Sequence, residues 1–285
     1  MTPAVEPHLR CDAHAGIATI TISNPAKGNA MTMAMWSELP RLLDRLAADP
    51  AIRVLVVQGE DGTFCVGADV SSLPDLIATA GLTEAGVAEA ALADFPKPSI
   101  ASVRGYCIGG GAQLAVACDF RFAAEDAVFG VTPAKLGVVY QGTAVGRLAQ
   151  LVGLAPAKHL LFSAELVDAA YAMRVRLVDQ IVPSAELDDA VRAYAVLLAS
   201  RSQLSIQATK SHLRALALRP GDVSALVEID RSWQQEALRS GEIQEGLAAF
   251  SERRSAEFPW AGDGRVSPPG EGPGVSADAT DATSA

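Results

Sequence analysis

Residues 100–119 read Ile-Ala-Ser-Val-Arg-Gly-Tyr-Cys-Ile-Gly-Gly-Gly-Ala-Gln-Leu-Ala-Val-Ala-Cys-Asp. The short apolar run Ser99–Val103 predicts a strand, Arg104-Gly105 a bend, and the three glycines open an apolar helix over Gly110–Ala117. Glycines at the head of a helix leave main-chain N–H groups bare at its positive end, a place suited to a developing negative charge. Two phosphate-binding alternatives are excluded by spacing. The triplet is not G-x-G-x-x-G with an acidic ribose ligand, and no Gly-Lys-Ser/Thr follows as a Walker loop requires. Close packing of the helix on its neighbours is the competing use for such glycines.

On both sides of this stretch the pattern is that of an α/β fold. Ile52–Gln58, IRVLVVQ, is a β-branched run of the kind buried on both faces of a parallel sheet. It leads through Asp61-Gly62 to Phe64-Cys65-Val66-Gly67-Ala68-Asp69-Val70, where small residues at 67 and 68 allow close main-chain approach to a ligand and Asp69 suits the N-cap of a following helix. Phe120–Ala123 is a further strand. Upstream, residues 11–22 alternate as a strand hairpin, and Met35, Leu39, Leu42, Leu43 and Leu46 give residues 33–48 a helical period. Strand and helix in alternation predict crossover units in an α/β layer fold.

After about residue 141 the strands are expected to stop. Gly142–Leu151, Pro156–Phe162 and Asp168–Leu177 read as helices, with one short strand at Val178–Val182. Glu186–Ser200, Ser202–Leu218, Asp222–Leu238 and Glu242–Glu257 follow as amphipathic helices rich in Ala and Leu, suited to oligomer contacts as well as core. The expected organisation is an N-terminal extension (1–10), an α/β core (11–185), a helical oligomerisation region (186–260) and a disordered tail (261–285). The tail holds five Gly, three Pro and five Ala against two Val, too little apolar surface to offset the entropy of ordering. No internal repeat is found.

With 49 % hydrophobic and 20 % charged residues the chain can fill a sizeable core. Its 23 basic and 33 acidic residues give a net charge of −10. Without a Lys/Arg tract, a sequence-independent grip on nucleic acid or an anionic membrane is not expected. A polyanionic ligand needs locally placed cations. The four cysteines, Cys11, Cys65, Cys107 and Cys118, form no C-x-x-C pair and no zinc-spaced cluster, so no metal is expected and the setting reads as reducing and cytoplasmic. Neither a signal-peptide h-region nor an apolar run of membrane-spanning length is present in the sequence.

Taken together, Asn24-Pro25-Ala26-Lys27-Gly28-Asn29-Ala30, Phe64–Val70, Ile100–Phe120, Phe129–Gly153 and Glu245–Arg254 resemble, in order, the segments of the crotonase superfamily, also called the enoyl-CoA hydratase/isomerase family. The resemblance runs from Ala15 to Phe258. It implies a crotonase-type ββα spiral core with a helical C-terminal trimerisation region, as a homotrimer or dimer of trimers. The implied substrate is an acyl-CoA thioester, with coenzyme A entering as part of the substrate and no other cofactor. By matched motif positions, the N–H groups of Ala68 and Gly110 form the oxyanion hole. Ala26, Lys27, Ala30, Val66, Ala68 and Val70 line the CoA nucleotide. Phe250 and Arg253 cover its adenine and phosphate, often from a neighbouring subunit, and Lys27 and Arg253 supply the local positive charge.

The sequence departs from the family's hydratases at both acid/base positions. One glutamate is replaced by Gln113 and the other, after Pro133, by Ala134. Gln113 has no ionisable proton and Ala134 has no polar group, whereas hydration needs one group to activate water and another to deliver a proton. Thr132-Pro133-Ala134-Lys135-Leu136-Gly137-Val138-Val139-Tyr140 is similar to a run in the methylmalonyl-CoA decarboxylases of the superfamily. The likeness makes Tyr140 the candidate proton donor or orienting group, although those enzymes keep glutamate at the Gln113 position and His at that of Ala68. Three readings stay open: a decarboxylase or isomerase working through an enolate, a hydratase with unusual acid/base groups, and a non-catalytic acyl-CoA-binding family member.

Overall fold

The computed structural model describes residues 6–69, 83–218 and 221–262. Val70, assigned above to the CoA site, the helix expected after Asp69, and residues 263–285 of the tail lie outside the described residues. The chain opens with a hairpin, β1 (His8–His14) and β2 (Ile17–Ser23), followed by α1 (Met33–Ala48), β3 (Val54–Gly59) and α2 (Glu84–Ala93). Next come β4 (Ser99–Val103), β5 (Tyr106–Ile108), α3 (Gly110–Ala117), β6 (Phe120–Ala124), β7 (Val128–Gly130) and the single turn α4 (Pro133–Leu136). Then follow α5 (Gly142–Val152), α6 (Leu154–Ser163), β8 (Leu166–Asp168), α7 (Ala169–Arg174) and β9 (Gln180–Val182). Four helices close the described chain: α8 (Leu187–Ala199), α9 (Gln203–Leu218), α10 (Val223–Ser240) and α11 (Glu242–Glu252).

Six strands form one sheet in the order β1-β2-β3-β4-β6-β9, antiparallel at β1–β2 and parallel beyond. β3 sits inside it with Val54 and Val56 on one face and Leu55 and Val57 on the other, all buried. One face is covered by the main core, including Trp36, Leu39 and Leu43 of α1. The other is covered by Leu187, Val191 and Ala195 of α8. The first of the C-terminal helices therefore packs on the sheet itself.

A second, smaller layer consists of short extended pieces. β5 pairs in parallel with β7, and β7 antiparallel with β8. Isolated bridges Cys65↔Cys107 and Met31↔Ala68 continue the layer to the segments after β3 and β2. After β2, β3 and β4 the chain thus adds a short piece to this second layer, and these turns of main chain build the pocket described below.

Several expectations change. β1 begins at His8, inside the stretch read as an extension. Strands do not stop at residue 141: β8 lies between the segments read as helices at Pro156–Phe162 and Asp168–Leu177, and the second of these is the shorter α7, capped by Asp168, whose carboxylate accepts from the N–H of Tyr171 at 2.7 Å. β5, β7 and β8 escape a periodicity reading because three residues are too few to show a period. The last helix ends at Glu252, not Glu257, because Arg253 takes a left-handed conformation at φ +56° and the chain folds back. There Trp260 packs on Trp233, and its main-chain N–H donates to Glu242 at 2.9 Å.

Three of the four cysteines, Cys65, Cys107 and Cys118, are buried and unpaired, and burial pushes the Cys65 and Cys118 thiols up to about 12. They are packing residues. No helix among the described residues is long and apolar enough to cross a membrane.

Candidate active site

The glycines of residues 109–111 are used in three different ways. Gly109 is the N-cap of α3 at φ +58°, a conformation that favours glycine. Gly111 presses on the preceding segment so closely that a Cβ would lie 2.2 Å from the Cys65 carbonyl oxygen. Gly110 lies between them, against Trp36. Close packing therefore accounts for Gly111 and leaves the other two to shape a surface.

That surface faces Gly67-Ala68. The segment 66–69 is knitted to 28–31 by main-chain hydrogen bonds: Val66 N–H to Gly28 O (3.1 Å), Met31 N–H to Gly67 O (2.8 Å) and Asp69 N–H to Met31 O (2.9 Å). Gly67 adopts φ +105°, and a Cβ there would stand 3.1 Å from the amide nitrogen of Gly110. A side chain at 67 would screen that N–H. Among the described residues neither the Ala68 nor the Gly110 N–H has a hydrogen-bond acceptor. Two unsatisfied donors beside a cavity are what a ligand oxygen can bridge.

The cavity is about 550 Å³ and among the described residues is lined by Trp36, Val66, Gly67, Ala68, Gly109, Gly110, Gln113, Thr132, Pro133 and residues 136–141, together with Thr83, Ala85, Gly86, Glu89 and Ala144. Its size suits a small organic group. Val66, Ala68, Gly110, Gln113 and Tyr140 of the sequence-derived site are gathered here. The Tyr140 hydroxyl is close to the head of α3, 3.6 Å from where a Cβ on Gly109 would be. Burial pushes that hydroxyl up to about 12, so at neutral pH it carries its proton.

Other sequence-derived residues lie elsewhere. Ala134 is exposed and does not line the cavity. The single turn of α4 puts Pro133 inward, and the next residue is rotated about 100° away from it. Ala26, Lys27 and Ala30 sit on the 24–31 segment beside Val66, outside the cavity. Ala30 is buried, and Lys27 donates to Asp69 at 2.6 Å with half its side chain in solvent. Phe250, 86 % exposed, and Arg253 stand on the C-terminal helix α11 and the turn that ends it.

The lining of the cavity also carries a residue that sequence reading missed. Thr83, Gly86 and Glu89 recur every three residues along α2 and its cap, so they share one face. That face meets the start of α5. Gln141 Nε2 donates to Thr83 Oγ1 at 3.4 Å, Gly86 leaves room for the Gln141 amide, which a Cβ would strike at 2.2 Å, and Arg147 donates to Glu89. Glu89 is 2 % exposed. Burial pushes its carboxyl up, partly offset by the Arg147 guanidinium. The available signals were a Thr cap at residue 83 and an acid in mid-helix, between Glu84 and Asp94, in an Ala-rich stretch before Pro96. The partner Arg147 is 58 residues away, beyond any local pattern. Gln141 Oε1 is buried without a hydrogen-bond partner on the same wall.

Comparison with known proteins agrees with this architecture. Residues 12–261 match the family model described as enoyl-CoA hydratase/isomerase. The chain is 31 % identical over 252 residues to a crotonyl-CoA hydratase of Syntrophomonas wolfei, covering 85 % of this chain and 94 % of that one. It is 28 % identical over 268 residues to a peroxisomal Delta(3,5)-Delta(2,4)-dienoyl-CoA isomerase of Arabidopsis thaliana, covering 88 % and 95 %. A crystal structure of an enoyl-CoA hydratase from Bacillus anthracis superposes with a TM-score of 0.80 at 25 % identity, over 88 % of this chain and 98 % of the other. With its α/β crotonase fold, this chain belongs to the enoyl-CoA hydratase/isomerase family.

Proposed function

We propose that the protein acts on an acyl-CoA thioester by stabilising its enolate, with the thioester oxygen seated on the N–H groups of Ala68 and Gly110. The single observation that carries this is the pair of unsatisfied donors at the cavity wall, kept open by Gly67 at φ +105°. Donors fixed by the main chain need no rearrangement when charge develops on the oxygen, and each is worth about 3–4 kcal/mol in comparable sites. The reaction is a decarboxylation or a double-bond isomerisation rather than ordinary hydration. Gln113 faces the cavity without an ionisable proton, and the second hydratase position, Ala134, offers none. Loss of carbon dioxide yields the enolate directly. The likeness of residues 132–140 to methylmalonyl-CoA decarboxylases supports a role for Tyr140 as proton donor or carboxylate-orienting group.

In this reading the nucleotide follows Ala26, Lys27, Ala30, Val66 and Val70. Phe250 and Arg253 come from a neighbouring subunit of a homotrimer or dimer of trimers. Support comes from the apolar side chains that α9–α11 leave exposed, Leu213, Leu218, Val223, Leu238, Leu247 and Phe250 among them. A second reading, hydration with unusual acid/base groups, is favoured by curated relatives named as hydratases. Incubating the pure protein with crotonyl-, 3-enoyl-, malonyl- and methylmalonyl-CoA, followed by mass spectrometry, separates these readings. Mass gain of one water on crotonyl-CoA at ordinary enzymic rates overturns the first. An inert protein that still binds CoA points to a non-catalytic member.

A further inference from the structure

We propose that Glu89 is the proton-transferring group of the cavity, a carboxylate on α2 that removes and returns an α-proton of the thioester held by Ala68 and Gly110. The inference rests on the acyl-CoA reading above. Glu89 lines the same cavity as the two N–H groups. Its side chain is 3 % exposed, and Arg147 of α5 binds one oxygen, Oε1. The other oxygen, Oε2, takes no hydrogen bond from the described residues and is not sealed inside the protein. A carboxylate anchored through one oxygen and open at the other is aimed but not quenched. A purely structural ion pair has no need to border the cavity. The face Thr83-Gly86-Glu89 is fixed against α5 at three successive points, which holds the carboxylate in place.

The step balances on these groups alone. Glu89 takes the proton from C2 of the acyl chain. The C2–H electron pair becomes the C1–C2 π bond, and the thioester π pair moves onto the oxygen facing Ala68 and Gly110. The glutamic acid then returns the proton, to C2 to regenerate substrate or, where C3=C4 extends the enolate, to C4 to give the 2-enoyl thioester. This favours isomerisation over decarboxylation, since loss of carbon dioxide needs no base. Partial burial suits the task, because a carboxylate in a low-dielectric wall is a stronger base than one in water.

The test is α-proton exchange, which reports enolisation without any net reaction. Wild-type protein with butyryl-CoA in D2O is expected to incorporate deuterium at C2. Glu89→Gln, which keeps the shape of the side chain, is expected to exchange about 10²–10⁴-fold more slowly with butyryl-CoA affinity close to wild type, in a protein that stays folded at a lowered melting temperature because Arg147 loses its charged partner. If that variant does not fold, Glu89→Asp replaces it. It keeps a charge for Arg147 but withdraws the carboxylate by about one methylene, and exchange should drop by up to about 10²-fold. Exchange at the wild-type rate in either folded variant overturns the proposal. So does a wild-type protein that binds butyryl-CoA and exchanges nothing. Failure to bind butyryl-CoA at all overturns instead the acyl-CoA reading on which it stands.

Discussion

The wall formed by residues 67–68 and 109–110 presents main-chain N–H groups, while the wall formed by α2 and the start of α5 presents the side chains of Glu89 and Gln141, with Arg147 holding Glu89 from outside the cavity. The first is set by glycines in conformations or contacts that exclude a side chain, at φ +105° for Gly67 and 2.2 Å from a carbonyl for Gly111. Side-chain changes elsewhere reach those donors only through the main chain that holds them. The second depends on two side-chain hydrogen bonds between segments 58 residues apart and on the close approach of the Gln141 amide to Gly86. One wall can hold a thioester oxygen whatever the chemistry. The other can be rebuilt to change which proton moves.

The largest effect is expected on the main-chain wall. Gly110→Ala and Gly110→Pro both bring a Cβ about 3.0 Å from Trp36 Cζ2, but only proline removes the N–H. Turnover of Gly110→Pro should lie about 10²–10³-fold below that of Gly110→Ala, with similar CoA affinity and melting temperature. Equal turnover in the two variants breaks the distinction between the walls.

On the side-chain wall, Gly86→Ala places a Cβ 2.2 Å from Gln141 Oε1. The Gln141 amide, the far end of a flexible side chain, must turn aside and lose its hydrogen bond to Thr83, while alanine gains up to about 1 kcal/mol of helix propensity over glycine. Reduced turnover is therefore expected with a denaturation midpoint close to that of wild type, because the displaced amide borders the cavity. Unchanged turnover would show that the α2–α5 contact does not shape the site.

Tyr140→Phe removes one hydroxyl from a site where burial holds it protonated up to about pH 12. A drop in turnover of about tenfold or less is expected, the scale of one hydrogen bond. Because the hydroxyl stays protonated, wild-type turnover between pH 7 and 10 should show no fall attributable to it, and the variant's pH profile should be parallel to that of wild type.

The smallest effect is expected of Ala134→Glu. Since residue 134 is exposed, adding it to Gln113→Glu should raise crotonyl-CoA hydration no further than Gln113→Glu alone. A double variant that hydrates where neither single one does would place residue 134 in the cavity.

What the sequence made legible follows the same division. β4 and α3 were readable to the residue because a short apolar run and a glycine triplet are local signals. β3 was recognisable because four consecutive apolar residues must be buried on both faces. The local pattern marked residues 67–68 and 109–111 as small, and only their resemblance to the family's segments singled out Ala68 and Gly110. β5, β7 and β8 were not legible, since each is three residues long and is defined by its pairing. α2 was passed over, and with it Glu89, because one acid among several in an Ala-rich helix acquires meaning only when α5 brings Arg147 against it. Ala134 was misplaced for a related reason: a motif gives order along the chain, while a single helical turn decides which of two neighbours faces inward.

The seating of the thioester is best tested by a crystal structure of the protein with butyryl-CoA. The account predicts the thioester oxygen about 2.7–3.1 Å from both the Ala68 and Gly110 nitrogens, with C2 turned toward Glu89 Oε2. A thioester bound in the cavity with its oxygen turned away from both nitrogens would contradict it.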